Sequence, residues 1–359
     1  MRVIKKYKFD LFSDANTNLS PEMRKAMCDA EVGNEVAGED PTVNKLLEKV
    51  CELLGKEAAV FLPSATMCNG IAYRVLCQRP GDLIILDETA HPLLKGSGLI
   101  SGLVQAESYV IKGTRGIFTA AQIEPIITKA KGYNLPVPRV VSIEQSINFG
   151  GGGIWPLPIL KEVCHLAHEH NVSTHMDGAR LFNAIIETSI PAAQYVQYFD
   201  SVCIDFSKIL GAPMGAVLAG SQDFIDEAWY YKFQQGGGLH QVGILAAGCL
   251  YGLKHNFEKI AEIHSNTKKL ALLLSQLSFI NLNPHHVETN VIICEVKHPI
   301  YTAVSLAEVL LEKGIRVLSI DDKRIRMMIH LDISFSDIEE IFRAFEEIEN
   351  VSSIKKGEL

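Results

Sequence analysis

Short apolar segments rich in β-branched residues alternate with amphipathic segments along the first two thirds of the chain. Segments of this length and composition are typical of buried strands, and the amphipathic segments between them are typical of surface helices. The alternation predicts an α/β fold in which helices cover a mostly parallel sheet. The expected strands are 58–62, 83–86, 139–143, 172–176, 201–204 and 216–219, and the expected helices are 21–30, 41–54, 66–77, 156–170 and 222–235.

The pattern changes after the triple glycine at 236–238. A long helical segment is predicted over 240–277, with a break near Asn256. Two further strands (290–296 and 324–330) and two helices (302–313 and 336–348) then alternate. We therefore expect a large domain over residues 1–245 and, over residues 246–359, a linking helix with a smaller α+β domain.

Composition and charge exclude several classes of function. The chain is 47% hydrophobic and 21% charged, which is typical of a soluble globular protein. Its net charge is −8 and its basic residues are dispersed, so no nucleic-acid partner is expected. The charged N-terminus does not resemble a signal peptide, and no apolar segment is long enough to span a bilayer. These features, and eight cysteines scattered singly along the chain, predict a cytoplasmic protein with reduced thiols and no membrane partner.

Lys208 follows the apolar segment 201–204 and precedes a turn rich in Gly and Pro. A buried lysine at the end of a strand is unusual, because burial disfavours the ammonium form and prepares the amine for Schiff-base chemistry. Asp177 follows the strand predicted just upstream, and Arg180 comes three residues later. A Schiff-base lysine with a separate Asp for a pyridinium nitrogen is the pair that pyridoxal phosphate (PLP) requires. Asp177 alone also fits a helix cap paired with Arg180.

Two other segments fit the same cofactor. The chain passes directly from strand to helix at 61–69, so the N–H groups near Ala65 and Thr66 suit a phosphate, although an ordinary Ser or Thr cap gives the same pattern. His91 lies in the loop after the strand that ends at residue 86. An imidazole there suits stacking on a pyridine ring and general-base chemistry, or is a solvated loop histidine.

The remaining motifs add no other cofactor. The histidines at 165–170 have the spacing of metal ligands, but they lie late in an amphipathic helix, where the helix dipole and solvent suit them, so we predict no metal site. The sequence contains neither G-x-G-x-x-G opening a helix after a strand nor G-x-x-x-x-G-K-[ST], which excludes NAD-type and P-loop nucleotide sites.

Taken together, the segments resemble the low-specificity and L-allo-threonine aldolases of PLP fold-type I, which are grouped with the aromatic amino acid β-eliminating lyases. The similar segments follow the family's order along the chain: 10–14, 30–44, 63–69, His91, 177–184, 207–208, 236–238 and 325–326. The resemblance implies a fold-type I large domain. It also implies that Lys208 holds PLP as a covalent aldimine, that Asp177 pairs with the pyridine nitrogen and that His91 stacks on the ring.

The resemblance assigns further residues to the cofactor and the substrate. Ala65 and Thr66 match the positions that hold the phosphate. Ser13, Arg180 and Arg326 match positions that bind the substrate carboxylate, which also places Arg180 beside the cofactor. The family forms dimers and often tetramers, so a homo-oligomer is implied. His240 then approaches the cofactor phosphate of a neighbouring subunit.

The implied reaction is retro-aldol cleavage of a β-hydroxy-α-amino acid, such as L-threonine or L-allo-threonine, to glycine and an aldehyde. The chain departs from the family at Ala37, Ile147 and Phe149, which stand where many members carry Tyr, His and Arg, and Ala65 and Cys68 replace glycines of the phosphate turn. These changes predict a roomier, more apolar site, with either weak erythro/threo discrimination or a preference for bulkier substrates such as phenylserine. Two alternatives stay open: β-elimination to pyruvate and ammonia, and a PLP-binding protein with little turnover.

Overall fold

The computed structural model of the chain describes residues 7–129 and 132–357. The strands are β1 (Phe9–Asp10), β2 (Ala58–Leu62), β3 (Leu83–Asp87), β4 (Glu107–Ile111), β5 (Pro138–Glu144), β6 (Ser173–Gly178), β7 (Ser201–Asp205), β8 (Ala216–Gly220), β9 (Ile280–Asn281), β10 (Val291–Val296), β11 (Ile315–Arg316), β12 (Leu318–Ser319) and β13 (Arg324–Met328). The α-helices are α1 (Pro21–Cys28), α2 (Pro41–Leu54), α3 (Ala65–Leu76), α4 (His91–Leu94), α5 (Ala120–Lys129), α6 (Leu157–Glu169), α7 (Leu181–Thr188), α8 (Ala192–Val196), α9 (Gln222–Gln234), α10 (Gly243–His255), α11 (Ile260–Leu274), α12 (Ala303–Glu312) and α13 (Phe335–Gly357).

The chain forms two compact units, one of residues 19–257 and one of residues 1–18 with 258–359. This division differs from the expected one, which ended the large domain at residue 245 and included the N-terminal segment in it. The N-terminal segment joins the smaller unit because β1 pairs in parallel with β11. The larger unit continues to residue 257 because α10 packs against α1 and α2, and the predicted break in the long helix follows it at Asn256.

A seven-stranded sheet forms the larger unit, in the order β2-β8-β7-β6-β5-β3-β4. Only β8 is antiparallel to its neighbours, so β2 runs in the same direction as β3 to β7. The predicted mostly parallel sheet is thus confirmed. Every residue of β3, β7 and β8 is buried, which explains the apolar run within each strand.

Local signals explain where the helices of this unit begin and end. In α2, the Asp40 carboxylate caps the first turn by accepting hydrogen bonds from Thr42 N and Val43 N, at 3.1 and 3.0 Å. The helix ends at Gly55, whose φ of 63° is the left-handed conformation that glycine adopts readily.

The histidines of α6, whose spacing resembles that of metal ligands, contact carboxylates. His165 contacts Glu169, and His168 contacts Asp200.

The smaller unit contains a four-stranded antiparallel sheet, β12-β13-β10-β9, and the two-stranded pair β1-β11. The predicted strands at 290–296 and 324–330 are β10 and β13, and the predicted helices are α12 and α13. All eight cysteines are free thiols, of which six are buried, Cys51 is half-buried and Cys28 is exposed. Within residues 7–129 and 132–357, no helix combines the length and apolarity needed to cross a membrane.

Candidate active site

The predicted cofactor residues of the larger unit follow strand ends at one edge of its sheet. β2, β3, β5, β6 and β7 share one direction, so their carboxyl ends lie on the same edge, where ligands bind in α/β sheets. The strand register shows that β2 and β7 end side by side. Ala216 of β8 pairs with Leu62, the last residue of β2, on one side and with Asp205, the last residue of β7, on the other. The sheet therefore brings together segments that are more than 140 residues apart in the chain.

Asp177 lies at the end of β6 and is 2% exposed. Its Oδ2 accepts a hydrogen bond of 2.6 Å from Asn69 Nδ2, and its Oδ1 accepts one of 3.1 Å from the backbone N–H of Ala179. The helix-cap alternative does not hold, because Arg180 occupies the cap position of α7. Two donors on a buried carboxylate are what a charged partner for a pyridinium requires.

Lys208 lies three residues beyond the end of β7, and its side chain is 16% exposed, so the amine is partly rather than fully buried. Its Nζ lies 3.0 Å from Asp205 Oδ2. Asp205 Oδ1 accepts hydrogen bonds from the backbone N–H and the hydroxyl of Ser207, at 2.8 and 2.7 Å. Sequence reasoning missed Asp205; its signal is a carboxylate directly after a buried strand and three residues before the lysine.

His91 is the first residue of α4 and is half-buried. Burial lowers the pKa of its imidazole below the ordinary 6.5. The carboxylates of Asp177 and Asp205 oppose this pKa shift. The cations of Lys208 and Arg180 add to it. His91 is therefore within electrostatic reach of the other predicted cofactor residues, and it is neutral at neutral pH, as a general base must be.

Glu144 is a second candidate site residue that sequence reasoning missed. It ends β5, pairs in register with Asp177 of β6 and is 8% exposed. Its carboxylate accepts hydrogen bonds from His91 N and Asn148 N, at 2.9 and 2.8 Å. Burial, with the charge of Asp177, raises the pKa of Glu144 to about 7. The available signal was its position at the carboxyl end of a predicted strand.

The predicted phosphate turn is the start of α3. The hydroxyl of Ser64 caps the helix by accepting a hydrogen bond of 3.2 Å from Met67 N. Ala65 and Thr66 precede Met67, so theirs are the first-turn N–H groups, which a helix leaves without an intrahelical acceptor. The helix is 12 residues long, and its dipole favours an anion at this end.

The triple-glycine segment lies against this turn. A Cβ atom on Gly237 would lie 2.5 Å from Met67 Cε and 3.1 Å from Lys232 Cγ, so the glycine backbone packs closely against both side chains. Lys232 is fully buried and forms an ion pair with Glu35. His240 follows the glycines and is exposed, with its Nδ1 3.4 Å from Asn34 Oδ1.

The smaller unit holds the other two predicted residues, Ser13 and Arg326. Ser13 is half-buried and accepts a hydrogen bond of 3.2 Å from Ala15 N. Arg326, in β13, is 5% exposed and donates from Nη2 to the carbonyl of Phe12 at 2.8 Å. Phe12 precedes Ser13, so the smaller unit brings this serine and arginine to one place. Arg180 belongs to the larger unit, where it is 4% exposed.

The three positions at which the chain departs from the family's Tyr, His and Arg differ in their exposure to solvent. Ala37 is exposed, and Phe149 is half-buried with Lys95 Nζ 5.8 Å from its ring centroid. Ile147 is only 1% exposed and lies so close to Gly116 that a Cβ atom there would be 2.6 Å from Ile147 Cγ2. Ile147 is therefore buried against Gly116 within the larger unit.

Comparison with known proteins identifies the family. The sequence model of the beta-eliminating lyase family matches residues 10–297. The chain belongs to the beta-eliminating lyase family. It is 37% identical over 341 residues to low-specificity L-threonine aldolase 1 of Arabidopsis thaliana, covering 94% of this chain and 95% of that protein. It is 34% identical over 345 residues to the low specificity L-threonine aldolase of Escherichia coli K12, covering 94% and 98%.

Solved structures confirm the fold-type prediction for this family member. The threonine aldolase of Leishmania major superimposes with a TM-score of 0.78 at 17% identity, covering 95% of this chain and 99% of that chain. The serine palmitoyltransferase of Sphingomonas wittichii superimposes with a TM-score of 0.74 at 17% identity, covering 98% and 92%. These similarities establish a shared fold. The family implies PLP, and the donors around Asp177, the start of α3 and the amine of Lys208 fit that cofactor.

Proposed function

We propose that the chain is a PLP-dependent aldehyde-lyase that cleaves a β-hydroxy-α-amino acid to glycine and an aldehyde. L-Threonine and L-allo-threonine are the proposed substrate class, since the relatives at 34 and 37% identity are low-specificity L-threonine aldolases. One observation carries the proposal: Lys208, Asp177 and His91 follow strands that end at the same edge of the sheet. The charges of Asp177 and Lys208 both affect the pKa of His91.

The residues around this edge would hold the cofactor as follows. The amine of Lys208 would bind its aldehyde carbon, the Asp177 carboxylate would pair with its ring nitrogen, and His91 would cover its ring. The N–H groups of Ala65 and Thr66 would bind its phosphate. When bound, PLP supplies an electron sink for the electron pair released as the Cα–Cβ bond breaks.

The chain's own residues would orient the substrate and move protons. By family resemblance we assign the substrate carboxylate to Ser13, Arg180 and Arg326, which fixes the direction of the Cα–Cβ bond. Neutral His91 takes the proton of the β-hydroxyl group as that bond breaks and the aldehyde leaves. A proton must then reach Cα to complete glycine, and the ammonium form of Lys208, once displaced from the cofactor by the substrate amine and paired with Asp205, would donate it.

Lys208→Ala tests the proposal directly. The wild type is expected to show the visible absorbance of lysine-bound PLP and to release glycine and acetaldehyde from threonine isomers. The variant should lose both, whereas Lys25→Ala, at a side chain that is 78% exposed, should keep both. If the wild type forms no glycine from any β-hydroxy amino acid, the proposed activity is excluded. An absorbance band that no amino acid shifts would instead indicate a PLP-binding protein with little turnover.

The second candidate function is β-elimination. The family description and its match to residues 10–297 support it, and it would use the same cofactor residues. A proton would leave Cα, a leaving group would depart from Cβ, and hydrolysis would give pyruvate and ammonia. Product analysis with serine, threonine and phenylserine separates the two, since only elimination gives a 2-oxo acid.

The proposal includes bulky substrates, a homo-oligomer and a cytoplasmic location. Ala37 and Phe149 support the bulk preference, and faster turnover of threonine than of phenylserine would contradict it.

The exposed positions of His240 and of Val36, which is 38% exposed, support a neighbouring subunit, as a dimer or tetramer. Light scattering of the purified protein measures the assembly, and a monomeric active enzyme would contradict it. Free thiols at all eight cysteines support a reducing compartment, which cell fractionation tests.

A further inference from the structure

A line of hydrogen bonds extends from Asp177 into the interior of the larger unit. Asn69 donates to Asp177 Oδ2 at 2.6 Å, and Asn69 Oδ1 lies 2.9 Å from His175 Nε2. His175 Nδ1 lies 2.8 Å from Ser201 Oγ. All four side chains are at most 2% exposed, so solvent does not complete their hydrogen bonding.

The chemistry of these groups fixes the direction of the line. Because the Asn69 amide donates its N–H to the Asp177 carboxylate, its oxygen faces His175 and must accept. His175 therefore carries its proton on Nε2, and burial lowers the pKa of this imidazole to about 4, so the ring is neutral. Its Nδ1 then accepts from the Ser201 hydroxyl. Each donor in the line points toward Asp177.

The sheet and α3 hold this line in place. His175 of β6 pairs in register with Ser142 of β5 and with Ser201 of β7. Tyr73 lies one helical turn after Asn69 in α3, and the edge of its ring packs on His175 with a centroid distance of 5.3 Å. Its hydroxyl is 2.7 Å from Ser142 Oγ. Side chains of β7 and α3 thus hold the imidazole, a serine of β5 holds Tyr73, and the imidazole in turn holds Asn69.

Helix α3 therefore has two contacts with the proposed cofactor site. Its first turn, at Ala65 and Thr66, carries the N–H groups assigned to the phosphate, and Asn69, about one turn later, contacts the carboxylate assigned to the ring nitrogen. One helix would therefore position the residues that hold both ends of the cofactor.

We propose that Asn69, supported by His175, is a positioning residue that orients Asp177 toward the cofactor ring nitrogen. The proposal rests on the proposed function, since it gives Asn69 a role only if Asp177 pairs with PLP. A purely structural network would stabilise the fold without affecting the cofactor. The two roles make different predictions for cofactor binding and for the stability of the apo-protein.

Asn69→Leu keeps the side-chain size and removes the donor to Asp177. Loss of one hydrogen bond to a charged group predicts about a 10- to 100-fold weaker PLP affinity, measured by absorbance titration of the apo-protein. The pH profile of the bound-cofactor absorbance should also shift. Tyr195→Phe is the matched control, because it removes the hydrogen bond of a buried side chain to Thr188 Oγ1 at 3.2 Å without touching the line to Asp177. It should lower the apo-protein's melting temperature and leave the PLP affinity within about twofold.

A second pair of variants, at His175, tests the same inference independently if Asn69→Leu does not fold. His175→Phe removes the donor to Asn69 and should weaken PLP affinity, whereas His175→Gln keeps an N–H donor and should restore most of it. The inference is overturned if the variants at 69 and 175 lose apo-protein stability but bind PLP as tightly as wild type with an unshifted pH profile. Failure of the wild type to bind PLP would overturn it together with the proposed function, and that outcome is seen before any variant is compared.

Discussion

The Glu144 carboxylate accepts a hydrogen bond of 2.9 Å from the backbone N–H of His91. His91 begins α4, and the preceding residue, Ala90, has no side-chain oxygen to cap that helix. Glu144 therefore provides the missing acceptor from a neighbouring strand, β5, and fixes the backbone of the residue that we assign to the cofactor ring.

Glu144→Gln should change the pH dependence of stability. The folded-state pKa of Glu144 is raised from 4.5 to about 7, so the folded chain binds a proton that the unfolded chain releases as the pH rises between these values. This group therefore reduces the free energy of unfolding as the pH rises through that window, by about 3 kcal/mol at most. The glutamine variant cannot titrate, so its stability relative to wild type should improve from pH 5 to pH 8. Denaturant unfolding at both pH values measures this, and the exposed Glu52→Gln is the control. A constant difference between the two proteins would contradict the prediction.

His91→Phe should keep an aromatic ring beside the cofactor and lose the proton acceptor. We expect kcat for glycine formation to fall about 10²- to 10⁴-fold, with PLP affinity retained. In the wild type, burial lowers the pKa of His91, so kcat/KM should fall on acidification only below the ordinary pKa of 6.5. A variant that loses cofactor absorbance along with activity would show that His91 acts mainly in binding.

Strand positions could be predicted closely from the sequence where a short apolar run occupies most of the strand. The prediction for β2 matches its bounds, and β7 and β8 extend one residue further than predicted. β4 was missed because it is an edge strand with mostly exposed or half-buried side chains, and its sequence lacks an apolar run. The two-residue strands β1 and β11 are too short for any periodicity, so the assignment of the N-terminal segment to the smaller unit was not predictable.

Lys208, Asp177 and His91 could be proposed as cofactor residues from the sequence because each lies at or just after the end of a recognisable strand. The residues that contact and orient these side chains could not be predicted from the sequence. Asn69 contacts Asp177 across 108 positions, and Glu144 reaches His91 across 53, so their roles depend on strand order and register. Neither order nor register is encoded in a local pattern.

Lys232→Met should destabilise the larger unit strongly. Lys232 is fully buried and its partner Glu35 is 2% exposed in the side chain, so the variant leaves a buried carboxyl group without its cation. Removing one partner of such a pair costs about 3–5 kcal/mol. The double variant Lys232→Met/Glu35→Leu should recover much of this loss, which a double-mutant cycle by denaturant unfolding measures. The exposed pair Lys25 and Asp29 is the control and should give no measurable change. Equal losses in the single and double variants would show that packing rather than charge pairing stabilises this region.

Gly178→Ala should disturb the cofactor site through the backbone. Gly178 follows Asp177 at the end of β6, and a Cβ atom there would lie 2.5 Å from the backbone oxygen of Cys203 in β7. A backbone atom of a paired strand cannot rotate away as a side chain can, so the two strands must separate at the level of Asp177. We expect a loss of about 1–3 kcal/mol in unfolding free energy and a weaker PLP affinity. Gly102→Ala is the matched control, because a Cβ atom at Gly102 has no neighbour within 4 Å. If Gly178→Ala binds PLP as tightly as the control does, the orientation of Asp177 is insensitive to the spacing of β6 and β7.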